Sequence, residues 1–338
     1  MAFKRLDPED FVVSSDPITG PVWSTGYPTL YPFFSASAVT GSTFTTNSYY
    51  MTAYHDPNSI AEPQFSIAYG DAAGSGSLLY NGIVDHNSPT SAIYGQYRSL
   101  ILEDENSGFV FGTGNNAVTS SNFWAISIDR ARYKEALFPG SLTLHITGSG
   151  GPCQSVMLTD NSRETLTTQY LGSTRVFQLI SGSNGTAYSG STDGGYVPAF
   201  GSYGLVFPDL GTILLNPLAL SQSLHLAPSQ SSNNYDDNNN ILFNALGPFR
   251  LNSEETITSD YVFVRARNSE FNYSANSSFI SGSTGEVIYD NFINAPQVYV
   301  TTVGLYNDSN ELLAVAKLSK PLLKDFTKES LLRVKLSY

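Results

Sequence analysis

Four histidines, His55, His86, His145 and His225, are the first candidates for metal or acid–base chemistry, and they share no ligand spacing. His145 falls in an alternating apolar run and His225 in a helical one, so both read as packing or surface positions. The stretch 236–240, all Asp and Asn, begins like a calcium loop. Its sixth position is Ile241 instead of glycine, and its twelfth is Gly247 instead of a bidentate glutamate. Cys153 is the single cysteine; it permits no internal disulfide and has no nucleophile motif around it. No Gly-x-Ser-x-Gly elbow occurs. The glycines at 74–76 and 148–151 lack the lysine and the spacing of a phosphate loop. Glycoside cleavage needs two carboxylates in one cleft. Glu103, Asp104 and Glu105 cluster in the chain, a pattern usual for a solvated face. These residues assign no catalytic, cofactor-binding or metal site, and the expectation is a protein that is not an enzyme and carries no cofactor.

Two other groups of side chains point to binding between proteins. Lys317, Lys320, Lys324, Lys328, Arg333 and Lys335 place six of the 17 basic residues in the closing stretch of an otherwise acidic chain. Such a cluster suits electrostatic docking onto an acidic neighbour or another copy of the chain. Lysines that guard an exposed strand edge give the same pattern. Near the start, Trp23, Tyr27, Tyr31, Phe33 and Phe34 stand among prolines. Aromatic side chains dominate interface energetics, so these five are candidate contacts.

Hydrophobic residues make up 41% of the 338 residues and aromatics 13%, which excludes global disorder. Charged residues are only 14%, so the polar surface is largely Ser, Thr, Asn, Gly and Tyr. Such a surface is cheaper to desolvate than one of Lys and Glu, and suits contact with other proteins. A net charge of −12 with no basic cluster of the required size argues against nucleic acid. No apolar run is long enough for a membrane span. The charged opening Lys4-Arg5-Leu6-Asp7 does not resemble a signal peptide, so the expected compartment is the cytoplasm. Four Asn-x-Ser/Thr matches, at Asn184, Asn272, Asn276 and Asn307, carry no weight without a secretory signal.

The elements that would position these groups are mostly strands. Residues 298–305 and 311–318 are apolar runs separated by Tyr306-Asn-Asp-Ser-Asn310, which predicts a β-hairpin, with Pro321 ending its second strand. Leu332, Val334, Leu336 and Tyr338 alternate with Arg333, Lys335 and Ser337, which predicts a strand held in a sheet. Strands are also expected at 64–69, 94–102, 109–111, 123–128, 141–147, 155–158, 175–180 and 203–207. Asp129 would cap a short helix over 130–137, and Asn216 with Pro217 would open another to 226. Residues 229–240 read as a solvated loop. No repeat of 20–50 residues and no heptad pattern is present. The expected class is mainly β, an antiparallel β-sandwich or barrel-like body with a few short helices. Three parts are expected: an extended aromatic, proline-rich arm over 1–60, a β-rich body over 61–258, and a β-rich segment over 259–338.

The runs 261–274, 296–308 and 312–321, with 128–144 upstream, resemble virion structural proteins of contractile-tailed phages. The resemblance is closest to T-even-like myoviruses of marine cyanobacteria. It implies a tail or baseplate component, with no catalytic residues to carry over. Its partners would be other virion proteins and further copies of itself, and it would be assembled in the host cytoplasm. A neck or head–tail junction protein is the first alternative. The second is a fibre or spike module that binds host glycan through exposed tyrosines such as those at 188–203. Under the arm hypothesis, deleting residues 1–60 leaves a folded, assembly-defective body.

Overall fold

The computed structural model describes residues 6–23, 28–31, 34–37, 49–56, 59–77, 88–148, 150, 153–165, 167–191, 193–232, 236–274 and 276–337. The chain forms two compact units, residues 20–255 and residues 1–19 together with 256–338. The expected arm over 1–60 is therefore divided between the two. Phe11–Pro21 is a strand at the edge of the smaller unit's sheet, the kind of position in a sheet where prolines such as Pro17 and Pro21 are tolerated.

The fold is mainly β, as the alternating runs require. The larger unit is built on a curled antiparallel sheet of eleven strands. Across the sheet run Leu144–Thr147, Ser155–Asp160, Thr174–Ser183, Gly204–Phe207, Thr212–Leu215, Asn122–Ile128, Ser59–Asp71, Met51–Asp56 and Phe34–Ser37. Gln169–Leu171 and Thr186–Ala187 add short pairings to Thr174–Ser183. In chain order these are two meanders, joined where Thr212–Leu215 closes against Asn122–Ile128.

Both faces of the sheet are buried, so the central strands Gly204–Phe207 and Thr212–Leu215 are buried at every position. Trp124, Ile126, Ile213, Leu215 and Val206 face one core, covered by the helices Pro217–Leu224 and Asp237–Ala245. Phe123, Ala125, Leu205, Phe207 and Leu214 face the other, under the helix Pro89–Ile101 and the Phe109–Phe111 strand. Here Phe123 packs face to face on Tyr94 at 5.4 Å and edge-on to Phe109 at 5.0 Å. Gly204 allows the close pairing at the centre, because a Cβ there would run into the carbonyl oxygen of Leu214. Gly204→Ala is expected to lower stability by about 1–3 kcal/mol through overpacking, measured by urea unfolding.

Three local expectations change. Residues 94–102 are helical, not extended: Ser88 accepts a hydrogen bond from the Ser91 N–H, Pro89 opens the helix, and Ile93, Tyr94 and Ile101 fall on its buried face. Asp129 does cap, accepting from the Ala131 N–H, yet only one 3₁₀ turn follows over Arg130–Arg132. The chain then leaves it for the short strand Ala136–Leu137, which pairs with Ser253 and Glu254. The polar stretch 229–240 ends in the helix Asp237–Ala245. Asn238 is buried there, donating to the carbonyls of Gly76 and Ser229 and accepting from the Ser229 N–H at 2.7 Å.

The smaller unit has a sheet in the order Phe11–Pro21, Ser253–Ala266, Ser330–Ser337, in which Ser253–Ala266 enters from the larger unit. Val262 lies opposite Val334 and Val264 opposite Leu332. A separate hairpin pairs Val298–Tyr306 with Leu312–Lys324. Its turn uses Asn310 at φ 63° and a bond from the Asn307 N–H to the Glu311 carbonyl. Pro321 does not end the second strand. The pairing slips between Val300–Leu322 and Thr302–Lys317, and the bulge so formed takes the proline out of the ladder.

Residues near the start are tied down by charge. The buried Asp10 carboxylate meets Arg265 Nη2 at 2.7 Å and Arg267 Nη2 at 2.7 Å, and Asp7 meets Arg267 at 3.2 Å. Burial pushes the Asp10 carboxyl up, and the two guanidiniums outweigh it, holding it below its ordinary 3.8. A carboxyl with a depressed folded pKa stabilises the fold above its unfolded pKa and loses that contribution as pH falls through the folded value. Acidification below about pH 4 is therefore expected to release residues 6–21 first. Hydrogen exchange along Phe11–Pro21 should rise with acid in the wild type, and Asp10→Asn should show raised exchange already at neutral pH.

Candidate interaction surface

The basic residues of the closing stretch divide by environment. Arg333 and Lys335 project from the exposed side of Ser330–Ser337 and flank the Tyr261 ring, each with its cationic centre 5.7 Å from the ring centroid. Lys317 lies opposite Thr302 on the hairpin face that also carries Val315. Lys320 is exposed, and Lys328 is exposed at 3.9 Å from Asp325. Lys324 is the exception. Its side chain is wholly buried, with the ammonium donating to the Asn268 carbonyl, Asn272 Oδ1 and the Asp325 carbonyl. A docking face on this unit therefore draws on five of the six cations. Alternation alone could not identify the sixth, because the bulge at Pro321 changes which residues face inward.

The aromatic candidates lie in the larger unit. Trp23 is half-buried, with its backbone N–H donating to Asn252 Oδ1 and its carbonyl accepting from Asn252 Nδ2 at 2.8 Å. Tyr31 is half-buried and held by Gln64, which accepts from its N–H at 3.0 Å and donates to its carbonyl at 2.7 Å. Phe34 pairs through its backbone with Tyr54, while Tyr27 and Phe33 lie outside the described residues. The described members are thus built into this unit's own sheet region.

Sequence reasoning missed the apolar surface of the smaller unit. Among the described residues its buried hydrophobics are Val264, Ala266 and Val334. Exposed instead are Phe11, Val12 and Val13 on the edge strand, Tyr299, Leu312, Leu313 and Val315 on the hairpin, and Leu331 beside Arg333. Leu313 is 68% exposed. Among the described residues the hairpin has no third strand, and a lone two-stranded hairpin is marginal in water. A one-sided alternation would have implied a buried face, whereas 312–316 is apolar at every position. That continuous run was the available signal.

Hollows suited to small molecules offer little chemistry. One of about 410 Å³ is lined by Tyr49, Tyr50, Tyr97, Gln96 and Ser127 among others, with no charged side chain. A second has one carboxylate among its described lining residues, Asp71, which accepts from the backbone N–H groups of Ala73 and Ser75. Glu103, Asp104 and Glu105 are exposed in the turn after the Pro89–Ile101 helix, with Asp104 accepting from Asn106 and Ser107. Burial pushes the Asp160 carboxyl up, and its partners are the N–H groups of Gly140 and Ser162, so it fastens a turn. No group of three potential metal ligands occurs among the described residues. No described helix is long and apolar enough to cross a membrane. Of the tyrosines in the proposed glycan loop only Tyr188 is exposed; Tyr196 is half-buried and Tyr203 buried.

Comparison with family models, curated proteins and solved structures gives no match.

Proposed function

We propose that this chain is a structural, non-enzymatic component of a larger particle, assembled by burying the apolar surface of its smaller unit on neighbouring subunits. The observation that carries this is the imbalance in that unit: Val264, Ala266 and Val334 are buried, while the hairpin and edge strand display Tyr299, Leu312, Leu313, Val315, Val12 and Val13. Contiguous exposed apolar surface rimmed by charge marks interaction sites. Arg333, Lys335, Lys317, Lys320 and Lys328 are exposed in the same unit. Charge favours an acidic partner, and another copy qualifies. Residues 20–255 hold 7 basic against 17 acidic side chains, a balance of −10; residues 1–19 with 256–338 hold 10 against 12, a balance of −2. The particle proposed is the contractile tail of a phage, with the baseplate as the place in it. That assignment rests on the resemblance of 261–274, 296–308 and 312–321.

Burial of a Leu or Val side chain contributes about 1.5–3 kcal/mol, and about 1.4 kcal/mol is tenfold in affinity. Leu313→Glu with Val315→Glu should therefore weaken association by about 10²-fold or more while leaving the melting temperature of the larger unit unchanged. Sedimentation velocity of the full chain over a concentration series, alone and with particle extracts lacking it, reads this directly. An interface that ignores both substitutions would refute the proposal. A density map of the particle with this chain outside the tail would refute the placement alone.

A further inference from the structure

Lys324, Asn272 and Glu270 form a buried cluster in the smaller unit that no assembly surface uses, with 0%, 5% and 6% of their surface exposed. Lys324 Nζ lies 3.0 Å from Asn272 Oδ1. A C=O bond is about 1.2 Å, so the amine is within about 4.2 Å of the Asn272 carboxamide carbon. Asn272 is held in place by donation from Nδ2 to the Asn268 carbonyl at 2.6 Å. Glu270, two residues before Asn272, accepts from the Arg267 N–H at 3.2 Å, and the negative charges of Asp325 and Glu270 favour the ammonium form of Lys324. Burial holds the Lys324 ammonium below its ordinary pKa, which favours the neutral, nucleophilic amine.

We propose that Lys324 and Asn272 join spontaneously through an isopeptide bond with loss of ammonia. The neutral Lys324 amine attacks Cγ of Asn272. Nζ passes one of its two protons to the carboxamide nitrogen as the Cγ–Nδ2 bond breaks and the Cγ–Nζ bond forms. Ammonia leaves. Charge and atoms balance without oxidant, metal or cofactor. Proximity in a buried, fixed geometry is what lets so poor an electrophile react. The product closes residues 272–324 into a covalent loop at the base of the exposed hairpin, so a segment with few buried hydrophobics keeps its shape under load. This holds whatever particle the chain belongs to.

The test is the mass of the purified full chain after complete denaturation, followed by proteolysis. The expected wild-type mass is lower than that of the sequence by one ammonia, with one branched peptide that joins the Asn272 and Lys324 segments. Lys324→Arg and Asn272→Ala should each restore the full mass and linear peptides. A wild-type chain at full mass with a linear Lys324 peptide overturns the proposal, and so does an ammonia loss mapped to another residue.

Discussion

Deleting residues 1–60 is expected to give insoluble or unfolded protein, not a folded body. The deletion takes Phe34–Ser37 and Met51–Asp56 from one end of the large sheet, and with them Met51, Ala53 and Leu30 from a core where each is at most 4% exposed. Loss of a large buried side chain costs about 2–5 kcal/mol, and two such losses reach the total stability of about 5–15 kcal/mol. Gln64, 2% exposed, loses both bonds to Tyr31, and Asn252 loses Trp23. A buried amide stripped of its partners costs about 1–3 kcal/mol more. In the smaller unit the deletion removes the edge strand and leaves Arg265 and Arg267 without Asp10. Far-ultraviolet circular dichroism and solubility of the truncated chain measure the outcome. A soluble truncate with a cooperative melt would show that the remaining strands form a core alone.

The parts of the fold that sequence made legible are those where one local rule decides. Asn216 and Pro217 announced a helix start because cap and first turn use nearest neighbours only. The strand at 64–69 stood out by its alternation, and those at 123–128, 175–180 and 203–207 by short, largely apolar runs. What failed was decided at a distance. Tyr94, Tyr97 and Leu100 look like strand residues until Ser88 and Pro89 are read as a helix start and the stack on Phe123 as the helix's support. Asp236 to Asn240 look solvated because Asn is usually polar surface, yet Asn238 is enclosed by Gly76 and Ser229, residues 162 and 9 positions away. Proline density suggested an arm over 1–60, and prolines alone do not distinguish a free arm from an edge strand. The cations at 317–335 were visible as a cluster. Which of them is buried depended on the slip in register at Pro321, and no periodicity rule predicts a bulge.

Trp124→Ala is expected to have the largest effect of any single substitution, about 3–5 kcal/mol. Trp124 is fully buried in the strand that joins the two meanders, opposite Tyr69 on one side and Leu215 on the other. Its ring centroid lies 5.8 Å from that of Tyr69, and its Nε1–H donates to the Asn238 carbonyl at 2.9 Å. One side chain thus ties the central strand to the helix Asp237–Ala245 that covers this face. Trp124→Phe keeps much of the volume and loses the donor, so it should cost less, about 1 kcal/mol for the bond plus the remaining cavity. At about 2–4 °C per kcal/mol for a unit of this size, the alanine variant should melt on the order of 10 °C lower. Urea unfolding followed by fluorescence of the remaining tryptophan and by circular dichroism distinguishes the contributions. An unchanged m-value with a lower midpoint means that a cavity in an intact fold accounts for the loss. If alanine and phenylalanine cost the same, the Asn238 bond and not the packing accounts for the loss, and the tie between the central strand and the helix is what Trp124 contributes.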